Sequence, residues 1–110
     1  MKKIIAFDFD GTLAKTDYPT ILEPKHEVIE AAKRLKENGN TIILYTCRHD
    51  ADLDAAIEFC AEHGLVFDYV NENVPENIEK FGDCRKIFAD LYIDDRARPV
   101  EFIELAMIKE

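Results

Sequence analysis

Two carboxylates two residues apart, Asp8 and Asp10, close an apolar run and open a glycine turn in Phe7-Asp8-Phe9-Asp10-Gly11-Thr12-Leu13. Alternate residues of a strand share a face, so both acids address one point if the extended backbone continues through Phe9. Paired acids at one point suit a hard metal ion or a phosphoryl group. A second acidic pair, Asp94-Asp95, follows the apolar Leu91-Tyr92-Ile93, and Thr46-Cys47-Arg48 follows the apolar Thr41-Ile42-Ile43-Leu44-Tyr45. Arg85, Lys86, Arg96 and Arg98 gather basic charge near the second pair.

These residues can cooperate only if the chain brings them to one edge. Four apolar runs read as strands: Lys3 to Phe7, Thr41 to Tyr45, Leu65 to Val70 and Leu91 to Ile93. The first two are continuously apolar rather than alternating, the pattern of strands covered on both faces of a parallel sheet. Val28, Ala32 and Leu35 ahead of Gly39 are spaced for one helical face, as are Leu53, Ala56, Ile57, Cys60 and Ala61 ahead of Gly64. A shorter helix is expected from Pro75 to Phe81, and Pro99 can open a final one carrying Ile103, Ala106 and Met107 inward. The segment from Leu13 to Glu23 reads as a short loop. Strands alternating with helices predict a right-handed, three-layer α/β sandwich of Rossmann-like type, with four or five parallel strands and helices on both faces. In such sheets ligands bind beyond the carboxyl ends of the strands, where Asp8, Asp10, Thr46, Cys47, Arg48, Asp94 and Asp95 all fall.

Composition narrows the classes of function. The 110 residues read as a single domain, 1–110, able to bury roughly 65% of its unfolded surface without staples. Cys47, Cys60 and Cys84 are odd in number and lack Cys-x-x-Cys pairing, which points to a reduced, cytoplasmic protein. Asp8 and Asp10 interrupt the N-terminal apolar run too early for a signal sequence, and no run approaches the roughly 18 residues of a membrane helix. A net charge of -9, from 23 acidic and 14 basic residues, argues against broad attraction to nucleic acid or anionic membrane.

The ordered set Asp8-Phe9-Asp10-Gly11-Thr12, Thr46-Cys47-Arg48, Val70-Asn71-Glu72-Asn73, Arg85-Lys86 and Tyr92-Ile93-Asp94-Asp95 resembles the haloacid dehalogenase superfamily of phosphohydrolases, across essentially the whole chain. The resemblance implies a phosphomonoesterase in which Asp8 attacks phosphorus to form an aspartyl-phosphate and Asp10 serves as general acid and base. It implies Mg2+ held by Asp8, the Asp10 carbonyl, Asp94 and Asp95, with Thr46 and Lys86 completing the catalytic set. Gly11, Thr12, Thr46, Cys47, Arg48 and Lys86 are the implied phosphate- and substrate-binding residues. Lys86 lies eight residues before Asp94, nearer than the usual spacing, so Arg85 and Lys80 stay open for its role. Arg48 reads equally as a phosphate ligand and as a surface arginine. The intervals that hold caps in larger members are short here, so the resemblance is to a small capless member with an open site.

A small phosphorylated molecule is the expected substrate, with a phosphorylated nucleic-acid 3′ end as the second reading and a homo-oligomer partner as one way to cover the site. A signalling receiver domain would place its acidic pair on the first strand and its phosphoacceptor at the third, the reverse of the order here. A calcium loop starting at Asp8 fails at Thr12 and Leu13, where an oxygen donor and glycine are needed. A noncatalytic phosphate-binding or regulatory protein on the same scaffold is the remaining alternative.

Overall fold

The computed structural model describes residues 2–82 and 87–94. Cys84, Arg85, Lys86, Asp95, Arg96, Arg98 and the helix expected from Pro99 lie outside the described residues. Strands β1 (Ile4–Phe7), β4 (Thr41–Leu44), β5 (Tyr69–Val70) and β6 (Leu91–Ile93) form a parallel sheet in the order β5-β4-β1-β6. The helices are α1 (His26–Glu37), α2 (Asp50–Glu62) and α3 (Pro75–Phe81), and a separate antiparallel hairpin joins β2 (Ala14–Asp17) to β3 (Thr20–Pro24).

The alternation of each strand assigns its residues to two cores. Ile5, Phe7, Ile42, Leu44 and Ile93 face Ile29, Ala32 and Leu35 of α1 and Ala56 and Cys60 of α2. The intervening Ala6 and Ile43 face the other way and meet Val74, at the head of α3, and Ile87. Continuously apolar strands are thus explained by burial on both faces. Both long helices stop as their glycines require. Gly64, at φ 84°, donates to Ala61, and Leu65 donates back to Cys60 while burying its side chain; Gly39 and Asn40 repeat the pattern at the end of α1.

Two expectations need correction. The run Leu65 to Val70 is not one strand: only Tyr69–Val70 pairs with β4, because Leu65 is used to close α2 and the Asp68 carboxylate accepts the Ile42 N–H at 2.8 Å. The segment from Leu13 to Glu23 is not a loop but the β2–β3 hairpin, with a cis Tyr18–Pro19 peptide at its turn. The signal was present. Thr16 and Thr20-Ile21 are β-formers on either side of a two-residue turn candidate.

Candidate active site

The connections after β1 and β4 run to one side of the sheet, whereas β6 pairs on the other side of β1. A reversal of this kind leaves a crevice at the carboxyl end of the central strand. Register places the site residues there. Phe7 is level with Leu44 on β4 and with Ile93 on β6, and the ladder continues one step as Tyr45 donates to Phe7 at 2.7 Å and Asp8 donates to Ile93 at 2.9 Å. Tyr45, Asp8 and Asp94 therefore stand side by side at the ends of three adjacent strands, although Asp8 and Asp94 lie 86 positions apart in the sequence. They share a cleft of about 400 Å³ with Thr46 and Cys47, within the roughly 300–1,000 Å³ typical of small-ligand sites.

Asp10 is engaged differently. Its carboxylate receives Arg48 in a fork, Nη2 to Oδ1 at 2.7 Å and Nε to Oδ2 at 2.9 Å, and Thr16 donates to Oδ1 at 2.8 Å. Arg48 is the same residue that the sequence left between phosphate ligand and surface arginine. Its exposure is 2%, and its guanidinium also donates to the carbonyls of Pro19 and Asp52 and lies 5.0 Å from the rings of both Phe9 and Tyr18. One buried cation thus ties the acid after β1 to the hairpin turn and to the first turn of α2. The hydrogen bonds from Arg48 and Thr16 hold the Asp10 carboxyl below the usual carboxylate range, against the opposing effect of burial.

Loop residues around the acids hold the cleft in shape. Asn71, in the left-handed conformation at φ 51°, accepts the Thr46 N–H at 2.9 Å, and the Thr46 hydroxyl accepts the Arg48 N–H at 3.1 Å. The buried Asn73 accepts the Phe88 N–H at 2.6 Å and secures the approach to β6. Gly11, at φ 80°, turns the chain after Asp10, and its carbonyl takes a 2.8 Å bond from Lys25. Thr12 is buried with an unpartnered hydroxyl among the described residues. Asn71 and Asn73 belong to the run Val70-Asn71-Glu72-Asn73 that contributes to the resemblance, but nothing in their spacing names their partners.

Among the described residues no three His, Cys, Asp or Glu side chains group as a metal site. Asp10 explains this, because its carboxylate is committed to Arg48 and leaves Asp8 and Asp94 as the two described acids on the cleft. Mg2+ commonly takes one or two carboxylates, with water and substrate phosphate filling the other positions, so these hard oxygen donors fit it.

No family model and no curated protein matches the sequence. A conserved protein from Bacteroides thetaiotaomicron has a solved structure that matches with a TM-score of 0.82 at 36% identity, covering 96% of this chain and 89% of that one. This chain belongs to that protein's family. The match spans the sheet, the hairpin and all three described helices, so the α/β architecture is shared over nearly the full length of both chains. Among the described residues no helix is long and apolar enough to cross a membrane.

Proposed function

We propose that the chain is a magnesium-dependent phosphomonoesterase of the haloacid dehalogenase type, with Asp8 as nucleophile. The observation that carries this reading is the meeting of Asp8, Thr46 and Asp94 in one cleft at the carboxyl ends of β1, β4 and β6. An Asp8 oxygen attacks phosphorus, the ester P–O bond breaks, and the leaving oxygen takes a proton. Water then attacks the aspartyl-phosphate and gives a proton to a base, returning Asp8 and releasing phosphate. Thr46 donates its hydroxyl to a phosphate oxygen, and its amide is already fixed by Asn71.

Asp8 and Asp94, with the Asp10 carbonyl and Asp95, would hold Mg2+, which when bound offsets the repulsion between an anionic nucleophile and an anionic ester. Asp10, ionised against Arg48, is in the form that accepts the water proton in the second step. Its other role, protonating the leaving oxygen, asks the carboxyl group to gain a proton and loosen from Arg48. Lys86, or Arg85 or Lys80 in its place, would neutralise charge on the transferring phosphoryl group. The small, hairpin-flanked site fits a capless member open to small phosphorylated molecules. The acidic overall charge makes a nucleic-acid end the weaker substrate.

Release of phosphate from p-nitrophenyl phosphate with Mg2+, abolished by chelator, tests the activity. Asp8→Asn should lower kcat by a factor of about 10³ or more while the protein keeps its fold, since a carboxamide is a poor nucleophile. Residual turnover within tenfold of the parent would exclude the covalent route.

A further inference from the structure

The cleft has a second end that phosphate chemistry does not use. Alternation and register put Ala6, Ile43, Tyr45, Tyr92, Asp8 and Asp94 on one face of the sheet, with Ala6 level with both Ile43 and Tyr92. Ala6 is only 1% exposed and forms a low floor on the central strand; Tyr45 and Tyr92 rise from the strands on either side and remain 47% and 41% exposed. All three line the same cleft as Asp8. The tyrosines lie two strand spacings apart and two residues out of step, Tyr92 level with Ala6 and Tyr45 with Asp8, a separation of roughly 12 Å, and two residues along β1 separate Ala6 from Asp8, roughly 7 Å.

The Tyr92 ring is also pinned. Its hydroxyl accepts the Ala89 N–H at 3.1 Å and donates to the Ile87 carbonyl, so the hydroxyl is occupied and the ring is what it offers to a ligand. A ring held in place before binding loses little side-chain freedom when a ligand arrives. The described lining of the cleft adds the carboxylates of Asp8 and Asp94 at the end of this platform.

We infer that the Ala6 floor between Tyr45 and Tyr92 is a subsite for the leaving group, and that the substrate is an aryl or arylmethyl phosphomonoester. The ring lies one or two bonds from the ester oxygen, because the platform begins two residues from Asp8. This inference rests on the phosphatase reading for the word substrate, but the ring subsite itself can be tested without turnover.

Benzylphosphonate and cyclohexylmethylphosphonate carry the same anion and rings of similar size, but only the first is planar and aromatic. Titration calorimetry with Mg2+ present should find benzylphosphonate tighter by about 3- to 10-fold, the range of an aromatic pairing. Tyr45→Leu and Tyr92→Leu should each bring that ratio to within about twofold of one, and Tyr92→Phe, which keeps the ring, should preserve it. Equal or reversed affinities in the parent protein, or no detectable binding of either phosphonate, overturn the subsite, and that measurement stands even if a leucine variant fails to fold. The matching esters, benzyl and cyclohexylmethyl phosphate, separate the two readings. A ring preference in binding without phosphate release from either ester sinks the phosphatase and leaves the subsite; release from both without a ring preference does the opposite.

Discussion

The two ends of the sheet use the same residue types for opposite purposes. At the amino end, Asn40 accepts the Lys3 N–H at 3.0 Å, Asp68 the Ile42 N–H at 2.8 Å and Asp90 the Ile4 N–H at 2.7 Å. At the carboxyl end, Asp8 and Asp94 face a cleft and Asp10 is neutralised by Arg48. Strand polarity accounts for the difference. Parallel strands point their first unpaired N–H groups out of one end and their last carbonyls out of the other. A carboxylate at the amino end meets the first N–H groups of the strands themselves, whereas at the carboxyl end Asp8 accepts the N–H of its neighbour Phe9 at 2.8 Å, past the end of β1, and Asp10 takes a cation and a hydroxyl, Arg48 and Thr16. Asp68 and Asp90 are therefore tied to the starts of the strands, Asp10 to an arginine from another loop, and Asp8 and Asp94 stand on the lining of the cleft.

The strongest way to break that contrast is to remove the cation at the carboxyl end. Arg48→Met should destabilise the protein by roughly 3–5 kcal/mol in urea denaturation, because it strands the partly buried Asp10 carboxylate and frees the Pro19 and Asp52 carbonyls together. Arg48→Lys should recover only part of the loss, since an ammonium cannot span both Asp10 oxygens. A cost under 1 kcal/mol for Arg48→Met would mean that the fork contributes no more than a surface ion pair.

The amino end should respond more mildly and in stability alone. Asp68→Ala removes the acceptor of the Ile42 N–H and a 3.6 Å ion pair with Lys36, which should cost about 1–2 kcal/mol. Phosphate release per folded molecule should stay within twofold of the parent. A tenfold loss would show that the amino end is coupled to the site and that the division between the ends is false.

Much of the carboxyl end could be read from the chain itself. Apolar runs mark β1, β4 and β6, the first two continuous, and the rule that ligands gather where such strands finish points Asp8, Thr46 and Asp94 to one place. The fork between Asp10 and Arg48 was hidden, since across a separation of 38 positions nothing signals which side chain a buried guanidinium will meet. The β2–β3 hairpin was missed because its strands are polar and mostly exposed, so the apolar patterning that marks core strands is absent. Leu65 to Phe67 looked like strand because apolar character alone does not distinguish a helix stop from a ladder.

The Asp10–Arg48 fork also responds to acid. Arg48 and Thr16 hold the folded-state pKa of Asp10 below its ordinary 3.8, so the ionised form contributes stability that is fully present above that value. That contribution is lost as the pH falls through the lower, folded-state pKa. Asp10→Asn should start less stable at neutral pH, and thermal unfolding measured between pH 6 and 2 should find its stability falling less than the parent's. Parallel curves would place the acid response elsewhere.

The smallest expected effect concerns Thr12, the one buried side-chain hydroxyl among the described residues that neither end provides for. It is 3% exposed, and its main-chain N–H is already given to Phe9. Burying a hydroxyl without a partner costs free energy that a methyl of nearly the same shape avoids. Thr12→Val should therefore raise stability by about 0.5–1 kcal/mol, seen as a higher Tm in the absence of phosphate. A lower Tm would instead mean that the hydroxyl holds a partner in solution, and the turn after Asp10 would then count as completed within the fold, like the amino end, rather than as part of the open site.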